Sequence, residues 1–209
     1  AGDFLFAQSS WHLANLDNVD VVKLLSRVIM DLAEGEIKQN LNRYDSGQTF
    51  SKYINKSYCK TASLIANSAK AAGVLSDIST EKLEMLYEFG KNIGLAFQVV
   101  DDILDFTGND KQLGKPAVSD LASGYLTAPV LYALEENKNL SFLIERELSE
   151  KDDLNNALEI IMNSGAIKKS RLLAEDFASH SKDAILWLPE SEYKRALMAL
   201  PEFVLSRLY

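Results

Sequence analysis

Most of what this chain lacks narrows its function. It has one cysteine, Cys59, which excludes a disulfide framework and a cysteine-based zinc site and reads as a small buried side chain. It has no basic run long enough for a nucleic-acid face, and its net charge is -8, so no nucleic-acid partner is expected. No apolar run approaches the ~18 residues that argue for a membrane span. There are four prolines, at 116, 129, 189 and 201, and few alternating β-branched stretches. Repeats, low-complexity tracts and linkers are missing as well, which argues for one domain over 1–209. No signal or transit segment is visible. The opening "AGDFLFAQSS" has no Met and is already in helical period, so a piece of something longer is expected.

What is present is helix. A chain of 209 residues, 47% hydrophobic and 25% charged, is enough for a buried core. Long segments of 3.6-residue period predict an all-α fold, with helices near 2–16, 19–42, 49–73, 80–106, 127–137, 140–148, 152–163, 166–187 and 191–208. Thr49 and Ser79 precede apolar-periodic runs and are expected as N-caps. "RYDSGQ" (43–48) and "SDIS" (76–79) read as turns. The stretch 107–126, "TGNDKQLGKPAVSDLASGYL", differs in texture, and a connection that long is usually functional or disordered.

One helix breaks local rules. "FQVVDDILDFTG" (97–108) places Asp101, Asp102 and Asp105 among Val, Ile, Leu and Phe near a helix C-terminus. Asp101 and Asp105 share a face at i, i+4, where like charges repel, and the helix dipole there is already negative. Such a violation often marks a site, and oxygen-only ligands suit Mg²⁺ shared with substrate phosphates. The bland alternative is an acidic helix end that aids solubility. Lys60 in "SYCKTASLI", Lys115 in "LGKP" and Gln98 add to the site reading, although Lys60 alone reads as a surface lysine and Gln98 alone as a polar helix-face residue. Carboxylates holding Mg²⁺, together with lysines, would bind a diphosphate.

"GLAFQVVDDILDFTG" followed by "LGKPAVSDLASGYLTAP" closely resembles the second aspartate-rich region of trans-polyprenyl diphosphate synthases. "AGDFLFAQSS", "LAEGEIKQ", "YCKTASLI" and "LPEFVLSRLY" are similar to further segments of that family, closest to its plant-type solanesyl members. The resemblance implies an isoprenoid-synthase-type helical bundle around a central cavity, here without its N-terminal helices. It implies condensation of isopentenyl diphosphate with an allylic diphosphate by ionisation, attack of the double bond and proton loss to the departing diphosphate. In that reading Asp101, Asp102 and Asp105 bind Mg²⁺, Lys60 and Lys115 contact the allylic diphosphate, and Gln98 and the backbone near Thr61 face the allylic cation. His12 and His180 are read as structural. The resemblance also implies a homodimer, peripheral membrane contact through the product, and a plastid or mitochondrial location.

Two departures qualify it. The family's other aspartate-rich motif would precede Ala1, so the polypeptide is expected to hold half an active site and to show little condensation activity alone. Tyr125 stands where many members have lysine, and Val118 where a small residue is common. The alternatives are a non-catalytic partner subunit of a prenyl synthase heteromer and a class I terpene cyclase, whose second metal motif usually differs. Product length is not legible. Phe4, Phe6 and Trp11 could floor the pocket, but core packing is the better default for them, and the wide apolar arcs of 2–16 and 19–42 suggest an isologous helical interface.

Overall fold

The computed structural model describes residues 1–108 and 118–208. Among these, helices account for all regular structure: α1 (Gly2–Ala14), α2 (Val19–Leu41), α3 (Phe50–Ser57), α4 (Ser63–Leu75), α5 (Thr80–Thr107), α6 (Ser119–Ala122), α7 (Ala128–Glu136), α8 (Lys138–Glu145), α9 (Asp153–Asn163), α10 (Ala166–Asp183) and α11 (Glu192–Ser206). The all-α expectation holds, with boundaries within a few residues. Among the described residues no helix is long and apolar enough to cross a membrane.

The segment expected as one helix over 49–73 is three pieces. α3 and α4 are joined by a π-helical turn, Tyr58–Ala62, which contains the "YCKTA" motif. Such wide turns are rare, and they are frequent at functional sites. Thr49 caps α3, accepting a hydrogen bond from the Lys52 backbone N–H at 3.3 Å. Ser79 occupies the N-cap position of α5 with extended backbone, yet its side chain makes no capping bond. The expected 43–48 and 76–79 turns carry Tyr44 and Asp77 at positive φ.

Helix α5 is the axis of the molecule. α4 packs along one side of it and α10 along the other, α2 lies outside α4, and α7 and α11 close against α10. Val99, Val100 and Ile103 of α5 are fully buried in one core cluster that also holds Leu126, Val130 and Ala174. Each such aliphatic side chain contributes about 1.5–3 kcal/mol. Two glycines of α5 set its spacing to the π turn and to α4. A Cβ at Gly94 would meet the Ala62 Cα at 2.5 Å, and one at Gly90 would meet the Ile65 carbonyl oxygen at 2.6 Å. The opposing residues, Ala62 and Ala66, are small and fully buried, so backbone meets backbone.

The core-packing default for α1 is overturned. α1 lies against α2 but buries none of its residues. Phe4, Phe6 and Trp11 are 68%, 55% and 62% exposed, and none lines the main cavity. No described element covers that side of α1. The apolar exposure continues on α2 at Ile29, Met30 and Ile37.

The α4–α5 spacing yields a prediction. Gly94→Ala forces a methyl against backbone that cannot rotate away, and is expected to destabilise the protein by about 1–3 kcal/mol in urea unfolding. Gly165→Ala, whose Cβ would have only a contact at 3.7 Å, is expected to change stability by less than about 0.5 kcal/mol. Equal effects at the two positions would contradict the close approach.

Candidate functional site

The close contact between α5 and the π turn places Thr61 opposite Gln98. The Thr61 Oγ1 hydroxyl donates to the Gln98 Oε1 at 2.6 Å. Gln98 Nε2 in turn donates to Asp102 Oδ1 at 2.9 Å, one helical turn along α5. Tyr53 of α3, fully buried, donates its hydroxyl to Asp102 Oδ2 at 2.6 Å. These four side chains form one hydrogen-bonded chain that runs from the core to a cavity of about 950 Å³.

Asp101, Asp102 and Asp120 line that cavity together with Lys60, Arg171 and Arg207. Asp101 pairs with the Arg207 guanidinium at 2.8 Å, and Arg207 also sits over the Phe97 ring at 4.6 Å. The end of α11 is thereby folded against α5, and the Leu208 carbonyl accepts a hydrogen bond from Arg171 at 3.5 Å. Lys60 is exposed at the rim, donating to Gln39 of α2 at 2.9 Å. The cavity is thus lined by three carboxylates and three cations.

Asp105 lies apart from this wall. It is fully buried, its Oδ1 accepts from the Ser119 hydroxyl at 3.3 Å, and its Oδ2 accepts from the Asp120 backbone N–H at 3.2 Å. Its carbonyl accepts from Val118 N at 2.8 Å. Val118 has a φ of +60°, a strained value for a β-branched residue. Asp105 therefore ties down the segment that presents Asp120 to the cavity. Lys115 lies outside the described residues. Tyr125 borders a smaller neighbouring cavity, its ring 5.7 Å from the Arg43 guanidinium carbon. His12 is exposed beside Trp11, and His180 pairs with Asp176 at 3.4 Å on α10, so neither reaches the site.

Electrostatic strain concentrates on Asp102. Burial pushes its carboxyl up to about 6, against the opposing pull of the Tyr53 and Gln98 hydrogen bonds. The Tyr53 hydroxyl is pushed well above the usual phenol range by burial and by Asp102.

The donor set fits a hard divalent cation. Asp101, Asp102 and Asp120 offer oxygen only, and no histidine or cysteine borders the cavity among the described residues. A tighter group exists elsewhere. Asp31, Glu34 and Cys59 have ligand atoms within 4.8 Å of one another. Asp31 already binds Arg27 at 2.8 Å and Ser63 at 2.5 Å, and Glu34 binds Lys38 at 2.6 Å, so this cluster is internally neutralised.

Reading the sequence alone missed Asp120, Arg171 and Arg207 as cavity residues. "SDL" (119–121) was a legible signal for Asp120, whereas the arginines are brought in from α10 and from the end of α11 by tertiary packing.

Residues 1–161 match the polyprenyl synthetase family model. The chain belongs to that family. It is 56% identical over its whole length to a prenyl transferase of Synechocystis and 48% identical to the chloroplastic solanesyl-diphosphate synthase 2 of Oryza sativa. It spans 65% of the first protein and 52% of the second. In fold it is similar to the polyprenyl synthase of Caulobacter crescentus crystallised with calcium and isoprenyl diphosphate, with a TM-score of 0.90 and 32% identity, covering all of this chain and 65% of that one.

The Asp102 carboxyl predicts a pH dependence. Its folded value, about 6, lies above the ordinary 3.8, so between them the folded state binds more protons than the unfolded state. Stability in metal-free buffer should therefore fall as pH rises from about 4 to above 6. Asp102→Asn should flatten that slope and, near pH 8, raise stability by up to about 3 kcal/mol. Urea titrations across this range check it, and an unchanged slope in the variant would assign the effect elsewhere.

Proposed function

We propose that these residues form the allylic-diphosphate side of a long-chain trans-polyprenyl diphosphate synthase. The carrying observation is the convergence of Asp101, Asp102 and Asp120 with Lys60, Arg171 and Arg207 on one cavity. Opposed charges of that kind suit a diphosphate bridged to metal ions, and suit a merely solvated acidic face poorly. The solanesyl name of the rice relative and the isoprenyl diphosphate held by the Caulobacter neighbour support the same reading.

In this proposal Asp101, Asp102 and, beside them, Asp120 hold Mg²⁺, with Asp105 anchoring the segment that carries Asp120. Bound there, Mg²⁺ would supply charge stabilisation for the departing diphosphate. Lys60 binds diphosphate oxygens from the rim, and Lys115 is assigned to the same anion from the sequence alone. Gln98 turns its carbonyl oxygen towards Thr61 and its amide nitrogen towards Asp102, so its orientation is set before substrate arrives. That fixed dipole, with the carbonyls of the π turn, faces the allylic carbon as it becomes cationic. Isopentenyl diphosphate then attacks through its double bond, and the proton leaves to the released diphosphate, since no histidine is near. The rice relative's chloroplastic name supports a plastid location.

Two tests follow. Asp101→Ala in the full-length protein should largely lose the melting-temperature rise given by Mg²⁺ plus an allylic diphosphate analogue, and turnover should drop about 10²–10³-fold. A full ligand-induced shift in the variant would remove Asp101 from the metal site. The exposed apolar side chains of α1 and α2, Phe4, Trp11, Met30 and Ile37 among them, exceed what a solvated face needs and support a homodimer with an isologous helical interface. Light scattering should give twice the chain mass, and a monomer at all concentrations would refute this.

A further inference from the structure

Beside Asp102 lies a second cavity of about 30 Å³, bordered by α3, the π turn, α5 and the start of α7. It shares Lys60, Gln98, Asp102 and Asp120 with the main cavity, so it is an annex of the same site. That is room for at least one water molecule or one oxygen-bearing group. Thr127, a lining residue only 3% exposed, has a buried hydroxyl, Oγ1, without a hydrogen-bond partner among the described residues. Lys56, largely buried, lines the annex too. Its ammonium stands 5.5 Å from the centre of the Tyr53 ring and makes no ion pair with a described residue.

These groups need an acceptor. A buried donor left unsatisfied costs about 1–3 kcal/mol, and more when charged. Burial lowers the Lys56 ammonium below the usual lysine range, and only the more distant charges of Asp102 and Asp120 oppose it. Asp102 cannot serve all of them, because its oxygens already accept from Gln98 and Tyr53. The space is bordered by Lys56 and Lys60 and by two carboxylates, Asp102 and Asp120, which the metal ions of the reading above would neutralise. The fitting occupant is an anionic oxygen.

We propose that Lys56 and Thr127 form an oxygen-binding annex that receives one terminal phosphoryl oxygen of the bound diphosphate. This rests on the diphosphate reading of the main cavity and adds to it a cation that neither its acidic motif nor its rim lysine supplies. Lys56 is then a substrate-binding residue that approaches the diphosphate from beside the carboxylate wall.

The test is calorimetric titration of inorganic pyrophosphate, in the presence of Mg²⁺, into the full-length protein and its variants. Lys56→Met is expected to raise the Kd about 10–100-fold, the usual loss for one charge-assisted contact. Its ligand-free melting temperature should not fall, because an unpaired buried charge has been removed. Thr127→Val keeps the shape and deletes only the hydroxyl, and is expected to weaken binding about threefold or more, which keeps the idea testable if Lys56→Met does not fold. Wild-type affinity in both variants overturns the annex. If that happens while Asp101→Ala abolishes binding, the annex alone fails. If the wild-type protein does not bind Mg²⁺–pyrophosphate at all, the function proposed above fails with it.

Discussion

The close approach of α5 to the π turn at Gly94 and Ala62 is the constraint on which the site depends. Without a side chain at 94, the two backbones meet at a distance that no other residue permits. That distance brings Thr61 within hydrogen-bonding reach of Gln98, and Gln98 passes the constraint on to Asp102. A longer spacing would leave the same side chains present but unconnected. Packing at one glycine thus controls the orientation of a polar chain that ends at the cavity.

Along that chain the energetics are opposed. Asp102 is buried, which favours its neutral form, while two donors fixed by the fold favour its charged form. Asp101 is instead half-exposed and paired with Arg207 from the C-terminal helix. Asp105 is fully buried and holds residues 118–120 through its carboxylate oxygens. Three aspartates that look equivalent in a motif therefore have three environments: an ion pair at the cavity wall, a buried carboxylate on a donor network, and an anchor beneath a strained turn.

The helical bundle was readable from periodicity because most of its helices bury a stripe, and α5, α7 and α10 do so plainly. The break at 58–62 was not readable. A π turn adds one residue to a helical turn without a proline or glycine to mark it, so the apolar period continues across it. α1 misled for a related reason. A wide apolar arc looks the same in sequence whether it is buried by its own chain or left for something else, and Phe4, Phe6 and Trp11 are the latter within the described residues.

By itself the sequence determined the family, the all-α class and the identity of Asp101, Asp102, Lys60, Thr61 and Gln98 as candidates, since these depend on local spacing and on motifs a few residues long. Only the tertiary structure decided which carboxylates share a wall. It put Asp120 beside Asp102 on the cavity and buried Asp105 beneath the turn at 118–120, which folds back onto α5. It also supplied Arg171 and Arg207, about 70 and 105 residues beyond the acidic motif, and the small space beside Asp102 where Lys56 and Thr127 meet. Such neighbours are made by helices crossing in space, and spacing along a chain carries no record of that crossing.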